Sequence, residues 1–181
     1  MHRVTILTLL AACLMLAGVT HAAGPAITPN PAQVVALDEC DPATFNDPAA
    51  AGPGFCLNVA LGASTSFANL LSEAAAGTPD ANWNFQPSLM TIKNGSLVSV
   101  VDEGGEPHTF TEVKQFGGGF LPPLNGGEAT VPECTGGFAN VTVAKTRILQ
   151  GSRIEINNLS KGKHLFQCCI HPWMRMEIDV K

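Results

Sequence analysis

The sequence predicts an all-β sandwich or barrel of roughly seven or eight short strands, preceded by an irregular extension that carries one short helix. Three observations lead there. Residues 85–113, "FQPSLMTIKNGSLVSVVDEGGEPHTFTEV", alternate apolar and polar residues around turn signals at Asn94-Gly95 and Gly104-Gly105, as a half-buried antiparallel sheet does. Strand-like runs resume in "NVTVAKTRILQ", "SRIEINNLS" and "KHLFQC", and the chain closes on "MEIDVK". Finally, there is no internal repeat, no helix-strand alternation and no heptad.

In chain order, a short basic start leads into an apolar run from Val4 to Val19, and small residues at Thr20 and Ala22 offer cleavage after Ala22. This pattern predicts a secretory signal peptide over residues 1–22. The run is shorter than the roughly 20 apolar residues that span a bilayer, so no membrane span is expected in the mature chain. From Gly24 to about Pro53 the sequence is rich in Pro, Ala, Asp and Asn, with no sustained apolar period, and reads as an irregular arm whose second half is bracketed by Cys40 and Cys56. Ser66 can cap a helix from Phe67 to Ala76, with Gly77 past its end. Residues 115–137 form a long Gly- and Pro-rich loop, a length that marks function or mobility. The expected division is therefore a signal peptide (1–22), an extension (23–82) and a β domain (83–181).

Charge narrows the partners. Loss of Arg3 with the signal peptide leaves nine Lys or Arg against fifteen Asp or Glu, a net charge of about −6. Without a basic cluster there is no electrostatic footprint for nucleic acid or anionic lipid. A mature length near 160 residues fits a single core with room for an extension.

The chemistry is concentrated in "HLFQCCIHPWMRMEIDVK". The mature chain has three histidines, His108, His164 and His171; His108 follows "GGEP" and His171 precedes Pro172, both beside turn residues. A soft thiolate with imidazoles suits copper or zinc, and two histidines, a cysteine and a weak methionine form the blue-copper pattern. In C-x2-H-x2-M, one tight loop can deliver Cys168, His171 and Met174, and His108 is the obvious donor from elsewhere. Strand alternation puts His164, Phe166 and Cys168 on one face and Leu165, Gln167 and Cys169 on the other. His164 then reads as a hydrogen-bonded core or edge residue.

From about Phe85 to Lys181 the chain resembles the cupredoxins, the plastocyanin, pseudoazurin and amicyanin family of small exported blue-copper proteins. "FQPSLMTIKNGSLVSVVD" is similar to the family's Phe-x-Pro strand, Ile-x-x-Gly turn and Val-rich strand, and "CCIHPWMR" to the amicyanin-type ligand loop. The resemblance implies a Greek-key β-sandwich and copper ligands at His108, Cys168, His171 and Met174. The family loop keeps two residues between Cys and His, which selects Cys168 over Cys169. Met174 rather than Met176 leaves Ile178 and Val180 where relatives place strand residues. Thr109 departs from the Asn that in many relatives ties the two ligand loops together. With Cys168 assigned to copper, Cys40, Cys56, Cys134 and Cys169 remain, and four cysteines allow three pairings. Cys40–Cys56 is favoured by proximity, with Cys134–Cys169 stapling the long loop to the ligand loop.

The function implied is that of a periplasmic or secreted, monomeric electron carrier with one type 1 copper, exchanging single electrons with protein donors and acceptors rather than acting as an enzyme. In relatives the C-terminal histidine's edge is the electron port at an apolar end of the barrel, and Trp173 is a candidate for that docking patch or for filling the barrel end. A copper carrier or chaperone, or a variant site of the red-copper kind, is the alternative. The sequence has neither the Met or His tract of a carrier nor the His-x-His pair of a multicopper centre.

Overall fold

The computed structural model describes residues 31–57 and 64–181; the expected signal peptide lies outside them. In order the elements are β1 (Ala32–Leu37), α1 (Pro42–Phe45), α2 (Phe67–Ala76), β2 (Asn84–Gln86), β3 (Leu89–Ile92), β4 (Val98–Asp102), β5 (His108–Thr109) and β6 (Thr111–Val113). After the long loop come α3 (Val141–Lys145), β7 (Arg147–Ile148), β8 (Arg153–Ile156), β9 (Gly162–Gln167) and β10 (Arg175–Val180). Strands dominate. They form two four-stranded sheets, β2-β1-β4-β8 and β3-β10-β9-β6, with β5 and β7 paired separately.

Alternation explains the core. On β4 Val98 and Val100, and on β10 Met176, Ile178 and Val180, point inward and join Phe85, Phe110 and Phe166 in one cluster to which both sheets contribute. Burying side chains of this size contributes roughly 1.5–3 kcal/mol each. Phe110 stacks on Phe166 at 4.3 Å and meets Phe85 edge-on at 5.1 Å, tying the β5–β6 link to both sheets.

The N-terminal segment differs from the irregular arm expected. β1 lies inside the first sheet, antiparallel to β2 and parallel to β4, and crosses the division expected at residue 83. Ala32, Val34 and Ala36 face the core. The period was hidden because only Gln33 marks the outer face as polar, while Val35 and Leu37 are half-buried apolar residues. α2 spans the residues read from sequence, with Ser66 Oγ accepting from the Asn69 amide at 3.2 Å and Gly77 left-handed at φ 70°. Its buried Leu70 and Ala74, one turn apart, hold it on the body of the protein.

A second correction concerns "NVTVAK", read as a strand. Asn140 caps a one-turn helix by accepting from the Thr142 amide at 2.9 Å, and only Val143 is buried while Val141 is 63% exposed. Local capping overrides the two-residue alternation. The 115–137 loop is pinned at several points. The buried Gln167 amide donates to Gly117 O (3.0 Å) and accepts from Gly117 N (3.1 Å). Cys134 and Cys169 form a disulfide, as do Cys40 and Cys56. Cys169 thereby anchors a small second cluster with Val113, Val131 and Val143 on the opposite face from Cys168.

Candidate metal centre

Two turns deliver the candidate donors. His108 opens β5 after the Glu103–Pro107 turn, and Cys168 directly follows β9. The chain then turns back into β10, closed by the Met174 amide donating to His171 O (2.9 Å) and the Cys168 amide donating to Met174 O (3.0 Å). His108 Nδ1 and His171 Nδ1 lie 3.3 Å apart, and each is 3.9 Å from Cys168 Sγ. A point equidistant from three atoms so spaced is about 2.2 Å from each, within the roughly 2.0–2.3 Å of imidazole and thiolate bonds to a first-row divalent ion. All three residues are buried, Cys168 and His108 completely. The soft thiolate and two imidazoles thus fit a copper or zinc ion in size and chemistry.

Donors converge on the Cys168 sulfur. The amides of Thr109 and His171 each donate to Sγ at 3.4 Å. Burial pushes the Cys168 thiol up, but the two imidazoles more than offset this and hold it well below the ordinary thiol range. Thr109 also joins the loops, its Oγ1 accepting from the Cys169 amide at 2.7 Å. A threonine therefore makes a tie between the two loops where many relatives were expected to use Asn.

Each imidazole is backed by a buried carboxylate. Asp38, just after β1, approaches His108 Nε2 at 2.9 Å through Oδ2. Its oxygens also accept from the amides of Cys40 (3.2 Å), Gly105 (3.0 Å) and Glu106 (3.0 Å). Burial raises the Asp38 carboxyl, but His108 and the Glu106 and Gly105 amides bring it below its ordinary value. Gly104 makes room, since a Cβ there would fall on the Asp38 carboxylate. Glu106 Oε2 lies 2.9 Å from His171 Nε2, outside hydrogen-bonding geometry, so the contact is one of charge. Burial would lower His171, but the Glu106 charge and Cys168 raise it to about 9. His108 is likewise lowered by burial and raised, on balance well above its ordinary value, by Asp38 and Cys168. Carboxylates behind ligating imidazoles fix ring orientation and raise basicity. Asp102 lies near the same carboxylate and histidine, and burial lifts its carboxyl to about 7.

Met174 is fully buried in the turn that carries Cys168 and His171, whereas Met176 sits on β10 opposite Phe166 in the core. His164 stays apart from the donor triangle, its Nδ1 2.6 Å from Glu112 and its Nε2 donating to Ser160 O at 2.8 Å. His171 departs from the exposed edge that the resemblance implies. Its side chain is 2% exposed. Glu106 meets its Nε2, and the rings of Trp173 and Trp83 lie 5.5 and 6.5 Å away. Trp173 itself is half-buried.

No family model and no curated protein matches the chain. Solved structures that it resembles include cupredoxins, at low identity and low TM-score. A purple cupredoxin from Nitrosopumilus maritimus is 13% identical at TM-score 0.40, over 82% of this chain and 98% of that one. Amicyanin from Paracoccus versutus is 18% identical at TM-score 0.34, over 54% and 73%. The reduced form of an amicyanin variant is 15% identical at TM-score 0.35, over 56% and 77%. Nothing about function transfers at that distance, and the donors themselves must supply the chemistry.

Asp38 and Glu106 escaped the sequence reading. Glu106 had a weak signal, an acidic residue two positions before His108 within a turn. Asp38 had none, because its approach depends on β1 lying parallel to β4, with Ala36 beside Asp102.

Proposed function

We propose that this chain is an exported, cupredoxin-like copper protein that carries single electrons between protein partners. The observation that carries the reading is the buried triangle of His108 Nδ1, Cys168 Sγ and His171 Nδ1, whose spacing suits one first-row ion. Bound copper would supply one-electron Cu(II)/Cu(I) exchange. Cys168 would provide the thiolate, His108 and His171 the imidazoles, and Met174 a weak thioether, with Met176 left to packing. Thr109, Asp38 and Glu106 hold these side chains in place, so little movement accompanies a change of charge. A set of this kind leaves no position for a substrate, which favours a carrier over an enzyme. Trp173, half-buried beside the buried His171, is the side chain we assign to the electron route outward. Two disulfides suit the oxidising periplasm or exterior that the signal peptide implies.

The test is the visible absorption and EPR spectrum after stoichiometric Cu(II), taken for the mature protein, for Cys168→Ser, and for Cys134→Ser combined with Cys169→Ser. An intense thiolate-to-copper band with narrow copper hyperfine splitting, lost only in Cys168→Ser, is expected. A weakly coloured tetragonal signal in the parent, or colour that follows Cys169, would sink the assignment and favour a copper carrier or variant site.

A further inference from the structure

A cavity of about 340 Å³ lies between the N-terminal segment and the ligand loops. Its walls are apolar, with Phe45 from α1, Phe55 from the turn beyond it, and Leu70 and Leu71 from α2. Ala51 lines it as well and is only partly buried. Two polar residues also line it, Glu106 and His171, and both are buried. The volume falls at the lower end of the roughly 300–1,000 Å³ usual for small-molecule sites, and few polar groups in an apolar lining is the usual composition of such sites.

The carboxylate is what gives this cavity a chemistry. Glu106 is 0% exposed, and among the described residues neither of its oxygens has a hydrogen-bond donor. Oε2 has the charge contact with His171, and Oε1 has no hydrogen-bond partner among the described residues. A buried charged acceptor without a donor is costly, and buried polar groups are almost always satisfied. We propose that the cavity is a binding site for a small apolar molecule carrying one O–H or N–H donor, its apolar body against Phe45, Phe55 and Leu71 and its donor on Glu106. This proposal is independent of the copper reading, since it concerns the cavity and can be tested with or without metal.

The probes are 4-butylphenol and butylbenzene, which differ only in the hydroxyl. Both are titrated into the mature protein, metal-free and copper-loaded, with amide chemical shifts and calorimetry as readouts. A hydrogen bond to a charged group contributes about 1.5–3 kcal/mol, so the preference for the phenol over the hydrocarbon should fall roughly ten- to hundredfold in Glu106→Leu and survive in Glu106→Gln, which keeps an acceptor oxygen. Ala51→Phe narrows the cavity away from the donor triangle and should abolish binding of both probes while the copper spectrum is unchanged. Shifts on binding should centre on Ala51, Phe55, Leu70 and Leu71. A preference that moves less than about twofold in Glu106→Leu, or phenol binding undiminished by Ala51→Phe, overturns the proposal; should Glu106→Leu fail to fold, Glu106→Gln and Ala51→Phe decide it.

Discussion

Replacing Asp38 by alanine takes one acceptor group away from four donors at once. The amides of Cys40, Gly105 and Glu106 and the Nε2 of His108 all converge on its two oxygens within 2.9–3.2 Å. The side chains of Asp38 and His108 are both 0% exposed, so water does not replace what is lost. Leaving a buried donor unsatisfied costs about 1–3 kcal/mol, and breaking a buried charge pair by removing one partner costs about 3–5 kcal/mol. These overlap rather than add, and a loss of about 3–5 kcal/mol is expected for the metal-free protein. Asp38→Asn is not conservative here. One oxygen can still serve the Cys40 and Gly105 amides, but the NH2 then faces the Glu106 amide and His108, donor against donor. About 2 kcal/mol is expected, with copper affinity reduced about 10- to 100-fold through a misdirected His108.

Urea unfolding of the metal-free proteins gives the first figure, and competition with a chromophoric chelator gives the second. The pH dependence has a definite sign. Because the folded-state value of Asp38 is depressed, its contribution is full above the ordinary 3.8 and is lost as pH falls through the lower folded value. The difference between wild type and Asp38→Asn should therefore be full between about 3.8 and 6.5, close in acid as Asp38 is protonated, and shrink above 6.5 as pH rises toward the raised folded value of His108, whose proton Asp38 holds. A stability change under about 0.5 kcal/mol together with copper affinity within about twofold would refute the role given to Asp38.

Other outcomes follow from neighbouring contacts. Burial lowers His164, but Glu112 and Ser160 O raise it on balance, so its stabilisation is full below 6.5 and lost as pH rises through the folded value. With Glu112 half-exposed, His164→Gln should remove a pH-dependent contribution of under about 1 kcal/mol and leave the copper spectrum alone; a changed spectrum would put His164 at the site. His108 and His171 hold protons above their ordinary range in the metal-free protein, so copper must displace them, and apparent affinity should climb from about pH 6 to 8 with proton release in calorimetry. An affinity flat over that range would contradict the donor assignment. A Cβ at Gly119 would run into the Cys169 carbonyl, which accepts from the Phe120 amide at 2.9 Å. Gly119→Ala should then cost about 1–3 kcal/mol and broaden the copper signal by shifting the ligand loop, whereas wild-type stability would show that the long loop gives way freely.

Residues differed in how far the sequence exposed them. Cys168, His171 and Met174 stood out as candidate donors because one loop of seven residues carries them, and His108 because histidines are scarce. The spacing of the family loop chose between the two cysteines and strand parity agreed, and the structure places Cys168 with the main core and Cys169 in the second cluster as alternation requires. α2 was legible through its caps, which are local in sequence. β1 was not, since a strand half-buried on its outer face loses the apolar-polar contrast that reveals a strand. With β1 unseen, Asp38 could not be placed beside His108, 70 residues away. The cavity walls and the burial of His171 depend on the same segment, so the N-terminal part of the site was hidden as one unit.

That hidden part bears on the redox chemistry proposed. Around the donor triangle the protein places the Cys168 thiolate and two buried carboxylates, Asp38 and Glu106, each behind one imidazole. Negative charge in a buried place favours the more positive metal state, so these carboxylates should hold the reduction potential down. Glu106 offers the cleaner test because no backbone amide among the described residues depends on its side chain. Its charge is 2.9 Å from His171 Nε2 and so at most about 7 Å from the middle of the triangle, and at an effective dielectric near 20 this corresponds to at least about 2 kcal/mol. At about 59 mV per tenfold for one electron, Glu106→Gln should raise the potential by on the order of 100 mV, measured by voltammetry on the copper-loaded protein. A shift under about 20 mV, or a fall, would mean that Glu106 does not act as a charge on the metal, and its burial would then have to be explained by the cavity alone.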